Sequence, residues 1–195
     1  MNNNLTAIAI VLDGSGSMFS TATDTRGSFN QFLKEQKDQP GEALFTLVQF
    51  NERHEVINDF VKLASVGDLT DKTYAPHGST ALLDAMGFTI NLMGEKLSAM
   101  SEVERPSKVM MVVITDGQEN MSKVFNKDQI RSMLKHQQEK YSWEILFFGS
   151  SLNEITDAQS LGVARQNTRQ YSPTAKGVQR LYSNISSNVS NYRAR

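Results

Sequence analysis

Runs of apolar β-formers alternate along this chain with polar stretches whose apolar residues recur every three or four positions. "TAIAIVLD" (Thr6 to Asp13) is short, nearly continuous and β-branched, the pattern of a strand buried on both faces. The segment after it carries Phe29, Phe32 and Leu33 at helical spacing and stops at "QPG", residues 39–41. "ALFTLVQF" (43–50) and "EVINDFV" (55–61) read as strands. The connection "NERH" is too short for a crossover helix, so the two are predicted to form an antiparallel hairpin. Leu83, Met86, Ile90, Met93 and Leu97 then line one face of an amphipathic helix. "KVMMVVITDG" (108–117) is the most hydrophobic segment and is predicted to be a central strand. Residues 127–141 read as a helix, 143–151 as a buried strand, 153–161 as a short helix and 163–165 as a last edge strand. The closing helix places Val178, Leu181, Ile185, Val189 and Tyr192 on its inner face.

Strands that alternate with helices predict an α/β fold in three layers, a doubly wound and mostly parallel sheet with one antiparallel edge strand. Residues 1–195 are read as a single domain, with no internal repeat and no Pro- or Gly-rich linker. Ligands of such sheets sit beyond the carboxyl ends of the strands, where the strand order reverses. Asp13 ends the first strand and Asp116 the central one. If the sheet winds outward both ways from the first strand, these two carboxylates are neighbours. Thr80, just ahead of the helix that leads to the Asp116 strand, falls on the same edge.

The chemistry there is all oxygen. In "LDGSGSMFS" (12–20), Asp13, Ser15 and Ser17 occupy alternate positions, and Gly14 and Gly16 permit a tight loop with unusual dihedrals. Hydroxyls with two carboxylates suit a hard divalent cation, Mg2+ first, with Mn2+ or Ca2+ as alternatives. Plainer roles exist for each residue: an N-cap serine in a solvated turn, a helix-capping Thr80, a loop-capping Asp116. An EF-hand requires glycine at its sixth position, where this chain has Met18, and a P-loop requires a lysine that is not near.

The set "DGSGS", "GST" and "ITDG", in this order, resembles the metal ion-dependent adhesion site of von Willebrand factor A (vWA) domains, whose fold is Rossmann-like. "HGSTAL" is similar to the family's Gly-Gly-Thr-Ala-Leu-type loop. The resemblance runs from the first strand to the final helix. It implies direct metal ligation by Ser15, Ser17 and Thr80, and direct or water-mediated ligation by Asp13 and Asp116. It also implies a partner protein that supplies an Asp or Glu ligand. The alternative is a Mg2+-dependent phosphatase or hydrolase-like enzyme with Asp13 as nucleophile. Haloacid dehalogenase-like phosphatases, which work this way, need a second Asp two positions on, where Ser15 stands, and no Ser–His–Asp spacing is evident.

Composition narrows the partners. Twenty basic residues balance 21 acidic ones, so no electrostatic footprint for nucleic acid or an anionic membrane is present. The absence of cysteine excludes disulfides and thiolate chemistry and fits a reducing compartment. The first residues do not read as a signal peptide, and no apolar run spans a bilayer, which predicts a soluble cytoplasmic protein; by analogy with the family it resembles, a bacterial or phage-type role is expected. His77 is read as a loop histidine beside the site, and Gln118, Glu119 and Asn120 as a solvent-facing rim within reach of a partner. His54 and His136 carry no assigned role, and Met86, Met93, Met110 and Met111 read as core.

Overall fold

Eleven elements follow one another in the structure, a computed structural model that describes all 195 residues. They are β1 (Asn2–Asp13), α1 (Ala22–Lys37), β2 (Glu42–Phe50), β3 (His54–Lys62), α2 (Leu82–Ala99), β4 (Pro106–Thr115), α3 (Lys127–Tyr141), β5 (Glu144–Gly149), α4 (Leu152–Ser160), β6 (Thr168–Gln170) and α5 (Ala175–Arg193). The sheet order is β3-β2-β1-β4-β5-β6, all parallel except the β2–β3 hairpin. The chain therefore winds outward in both directions from β1, and the reversal falls between β1 and β4.

Strand periodicity distributes the core. Ile8, Ile10 and Leu12 of β1, with Met110, Val112 and Ile114 of β4, face the layer made by α1 and α5. Ala7, Ala9 and Val11, with Val109, Met111 and Val113, face the layer made by α2, α3 and α4. Each fully buried large apolar side chain in these layers contributes roughly 1.5–3 kcal/mol. The five inner-face residues expected for the closing helix are all buried. Its seat also has a polar pin: the buried Gln36 amide of α1 donates to Ser186 O (3.2 Å) and Ser190 Oγ (2.9 Å). No helix is long and apolar enough to cross a membrane.

Two boundaries differ from the sequence reading by more than two residues. β1 starts at Asn2, whose N–H donates to Arg105 O at 2.8 Å, so polar residues extend the strand ahead of the apolar run. The last edge strand is Thr168–Gln170 rather than 163–165. Val163 is buried because its N–H closes the end of α4 on Ala158 O (3.1 Å) and its side chain joins the adjacent core. Burial, not pairing, accounts for its apolar character.

Candidate metal centre

Strand register brings the first carboxylate to its support. Leu12 pairs with Ile114, so Asp13 and Thr115 lie side by side one step further on. The Thr115 hydroxyl donates to Asp13 Oδ2 at 2.6 Å, and the Ser15 N–H donates to Oδ1 at 2.7 Å. Asp13 is wholly buried. Its main-chain carbonyl accepts the Tyr74 hydroxyl at 2.7 Å.

Three loops are stitched together around this point by backbone groups. Gly14 N–H donates to Phe50 O (2.7 Å), His77 N–H to Gly14 O (2.8 Å) and Gly16 N–H to Gly78 O (3.0 Å). Gly14 and Gly16 do not use positive φ, contrary to the dihedral freedom expected of them. A side chain at either would instead crowd a carbonyl, Phe50 O at 3.4 Å or Gly78 O at 3.3 Å. Gly78 is the position that requires glycine's conformation, with φ +79°. Its neighbour Ser79 is held by Glu52 Oε2 at 3.1 Å.

Thr80 is locked from the other side. Its N–H donates to Asn120 Oδ1 (3.0 Å), and its carbonyl accepts the N–H groups of Asn120 (3.1 Å) and Met121 (3.2 Å). Glu119 accepts from Leu83 N–H, Met121 N–H, Ser122 N–H and the Ser122 hydroxyl. Asp84 accepts from the N–H groups of Lys123, Val124 and Phe125. Glu119, read from sequence as solvent-facing, is half-buried, while Asn120 is exposed as expected; the side chains of both hold the loop that carries Thr80.

The five residues singled out in the sequence therefore share one pocket of oxygen atoms. Ser15 Oγ lies 3.0 Å from Ser17 Oγ, and the Ser17 hydroxyl donates to Asp116 Oδ1. A methyl group placed on Gly117 would sit 2.8 Å from Thr80 Oγ1, 3.3 Å from Ser17 Oγ and 3.6 Å from Ser15 Oγ. Three hydroxyls from two segments thus lie around the place a Gly117 side chain would take. Their plainer roles are not taken up: Ser15 makes no side-chain cap, and the residue that precedes α2 is Ala81, also without one. Loop capping after β4 falls to Glu119 rather than Asp116. Asp13, Ser15 and Thr80 are buried, Asp116 is half-buried and Ser17 is exposed, so the pocket opens on the Ser17 side. Thr115 and Gly117 were missed by sequence reasoning, although a polar residue ending the most apolar strand is a visible signal. His77 stays at the margin, its ring bonded to Asn51 Nδ2 (3.2 Å) and Ala75 O (2.8 Å).

The donor set fits a hard cation: two carboxylates, three hydroxyls, no sulfur and no imidazole among them. Burial pushes the Asp13 carboxyl above the usual range against the pull of its Thr115 and Ser15 hydrogen bonds. Burial, with the nearby charges of Asp13 and Glu154, pushes Asp116 up to about 6, although the Ser17 hydroxyl lowers it. A raised folded-state pKa favours the protonated fold. Its contribution to stability is complete below the ordinary carboxylate range near 4 and is lost as pH rises through about 6. A cation that needs both carboxylates ionised competes with those protons. The Mg2+-induced rise in melting temperature is therefore expected to grow between pH 5 and pH 7. In EDTA, the wild type should lose stability relative to Asp116→Asn over the same window. Melting curves at half-unit pH steps measure both, and a Mg2+ effect that is flat with pH would contradict this coupling.

The model of the von Willebrand factor type A domain matches residues 7–171, and the chain belongs to that family. Among solved structures, proximal thread matrix protein 1 of the mussel byssus is similar at 16% identity and a TM-score of 0.62, over 95% of this chain and 46% of that one. The pilus adhesin SpaC of Lactobacillus rhamnosus GG, in an open conformation, is similar at 12% identity and a TM-score of 0.70, over 96% of this chain and 30% of that one. The manganese-loaded TRAP protein of Plasmodium vivax is similar at 12% identity and a TM-score of 0.64, over 99% of this chain and 75% of that one. The mussel protein has also been solved with a zinc-occupied MIDAS motif. At these identities the likeness is one of fold, and the chain spans less than half the length of the mussel and bacterial proteins. No curated protein matches by sequence.

Proposed function

We propose that this chain is a metal-dependent protein-binding module. Asp13, Ser15, Ser17, Thr80 and Asp116 hold one divalent cation, Mg2+ in the first place and Mn2+ or Ca2+ as alternatives. The observation that carries this is the place beside Gly117, approached by three hydroxyls, of which Ser17 is bonded to Asp116 while the main chain of Ser15 is bonded to Asp13. When bound, the cation supplies positive charge that neutral hydroxyls quench only in part, which attracts an external carboxylate. The chain's own residues do the rest. Thr115 and the Ser15 N–H orient Asp13, Asn120 fixes Thr80, and Ser17 leaves one side open to solvent. The partner is a protein that presents an Asp or Glu on that side. Manganese in the Plasmodium protein and zinc in the mussel protein support a divalent cation in this fold.

Catalysis is not part of this reading. Asp13, the candidate nucleophile, is wholly buried with both oxygens engaged, and Ser15 occupies the place an acid/base would need. The reading includes residues 1–195 as one domain and, from the cysteine-free composition, a cytoplasmic setting.

Melting in graded MgCl2 tests the proposal. At a hundredfold excess over the dissociation constant, a ligand that binds only the folded state adds about 2.7 kcal/mol, and a domain of this size then melts roughly 5–10 °C higher. That rise should saturate, be reproduced by Mn2+ and vanish in EDTA. A melting temperature indifferent to both metals would overturn the assignment.

A further inference from the structure

Seven large apolar side chains are exposed on this protein, and they are not scattered. Met1, Val103 and Tyr141 lie at the amino ends of the parallel strands. The other four, Phe19 (73% exposed), Met121 (36%), Val124 (69%) and Leu152 (71%), lie at the carboxyl ends. Each is tied to the candidate metal centre by the chain around it. Phe19 stands two residues beyond Ser17, on the short 3-10 helix 16–21. Met121 donates its N–H to Thr80 O at 3.2 Å. Val124 donates its N–H to Asp84 Oδ1 at 2.9 Å, at the first turn of the helix that follows Thr80. Leu152 follows by two residues Ser150, whose hydroxyl donates to Asp116 O at 3.3 Å. Four separate positions on three loops thus carry exposed apolar groups on the sheet edge that holds the candidate metal centre.

The charges on this edge select the same kind of ligand. Four of its carboxylates accept main-chain N–H groups: Glu52 from Ser79, Asp84 and Glu119 from the residues named above, and Glu154 from Ser150 and Ser151. Its exposed cations, Arg53 and Lys123, take no part in any of the salt bridges. A carboxylate arriving here meets these two cations and, on the β3 side, the exposed Glu55, which is also in no salt bridge. An apolar side chain arriving beside it covers Phe19 or Leu152, which otherwise stand in water at a cost.

We propose that the partner's recognition element is a protein segment in which the Asp or Glu is flanked on both sides by large apolar residues. Phe19 and Leu152 receive one flank each, and Met121 and Val124 extend the apolar border. This rests on the metal-binding reading above and adds what surrounds the carboxylate. The metal centre would fix the acid, and the border would decide which acidic segments bind.

A displayed library of twelve-residue peptides with one fixed central Asp and random flanks tests it, selected on the immobilised chain in Mg2+ and in EDTA. Selected peptides should be enriched in Leu, Ile, Phe, Val or Met beside the Asp, in Mg2+ only. A selected peptide should bind the Phe19→Ser/Leu152→Ser double variant roughly tenfold or more weakly, since two covered apolar groups are lost. Both side chains are exposed, so the variant should keep the fold and the wild-type Mg2+ melting response. EDTA-sensitive peptides with polar or random flanks, or full binding by the double variant, would overturn the apolar border and leave the metal site standing. Selection indifferent to EDTA, with no Mg2+ melting response, would instead overturn the metal site itself. Mg2+-dependent self-association in sedimentation, abolished by Phe19→Ser, would replace the foreign segment with a second copy of this chain.

Discussion

Asp13→Asn should abolish the Mg2+ melting response and leave the metal-free protein as stable as the wild type, or slightly more so. The substitution keeps size and shape, and the hydrogen bonds can be refilled. Asn Oδ1 still accepts from the Ser15 N–H, which lies 2.7 Å from the native oxygen. The amide nitrogen can donate to Thr115 Oγ1, and the Thr115 hydroxyl then turns to Gly117 O, already 3.0 Å away. The new amide's second N–H has no acceptor in place, so part of the usual penalty of about 1–3 kcal/mol per unsatisfied group should offset the gain from losing the charge. The negative charge is removed, and burial already disfavours that charge in the metal-free state. Alanine is the less informative replacement, since it strands the Ser15 N–H. Ser15→Ala removes a neutral hydroxyl and should weaken Mg2+ binding less than Asp13→Asn does. A full Mg2+ response in Asp13→Asn, or a larger loss in Ser15→Ala, would remove Asp13 from the centre.

The part of the site that sequence alone could reach is the part written in periodicity. Asp13 and Asp116 stand where apolar runs end, and the rule that ligands gather at the carboxyl edge of a doubly wound sheet joins them. Ser15 and Ser17 follow from their spacing, and Thr80 from its place before a helix. What could not be read is the set of bonds between loops far apart in the chain. Asn120 reaches back 40 residues to Thr80, Glu119 reaches 36 to Leu83, and Thr115 reaches 102 to Asp13. Those pairings depend on the paths of irregular loops, which leave no period in the sequence. In sequence Glu119 is one more polar loop residue, and Asp84 one more polar position on an amphipathic helix. β6 was misplaced for the same reason. Val163 is as apolar as a strand residue, but three-residue β6 forms where the chain after α4 next lies alongside β5, at Thr168 paired with Phe147. The exposed Phe19 and Leu152 carry no signal at all until burial is known.

Gly117→Ala should remove metal binding by a different route, since it withdraws no ligand. The added methyl would occupy the space among the hydroxyls, 2.8 Å from Thr80 Oγ1 and 3.3 Å from Ser17 Oγ. Carbon–oxygen contacts below 3.0 Å are not tolerated, so Thr80 or the Gly117 loop must move. Asn120 holds the N–H and the carbonyl of Thr80, so relief comes from swinging the Thr80 hydroxyl out of its place beside Ser17 and Ser15. Gly117 does not have a positive φ, so alanine suits its backbone. The metal-free fold should therefore lose at most about 1 kcal/mol, while affinity for Mg2+ falls by roughly 10–100-fold, as when a metal site's supporting geometry is disturbed. Gly78→Ala is the contrasting variant. There φ is +79°, and a methyl would run into the Glu52 carboxylate. It should lower stability in EDTA as well, by roughly 1–2 kcal/mol of backbone strain. Calorimetric titration with Mg2+, beside melting curves in EDTA, separates the two. Wild-type Mg2+ affinity in Gly117→Ala would mean that the three hydroxyls do not enclose the cation, and the metal centre would have to lie elsewhere.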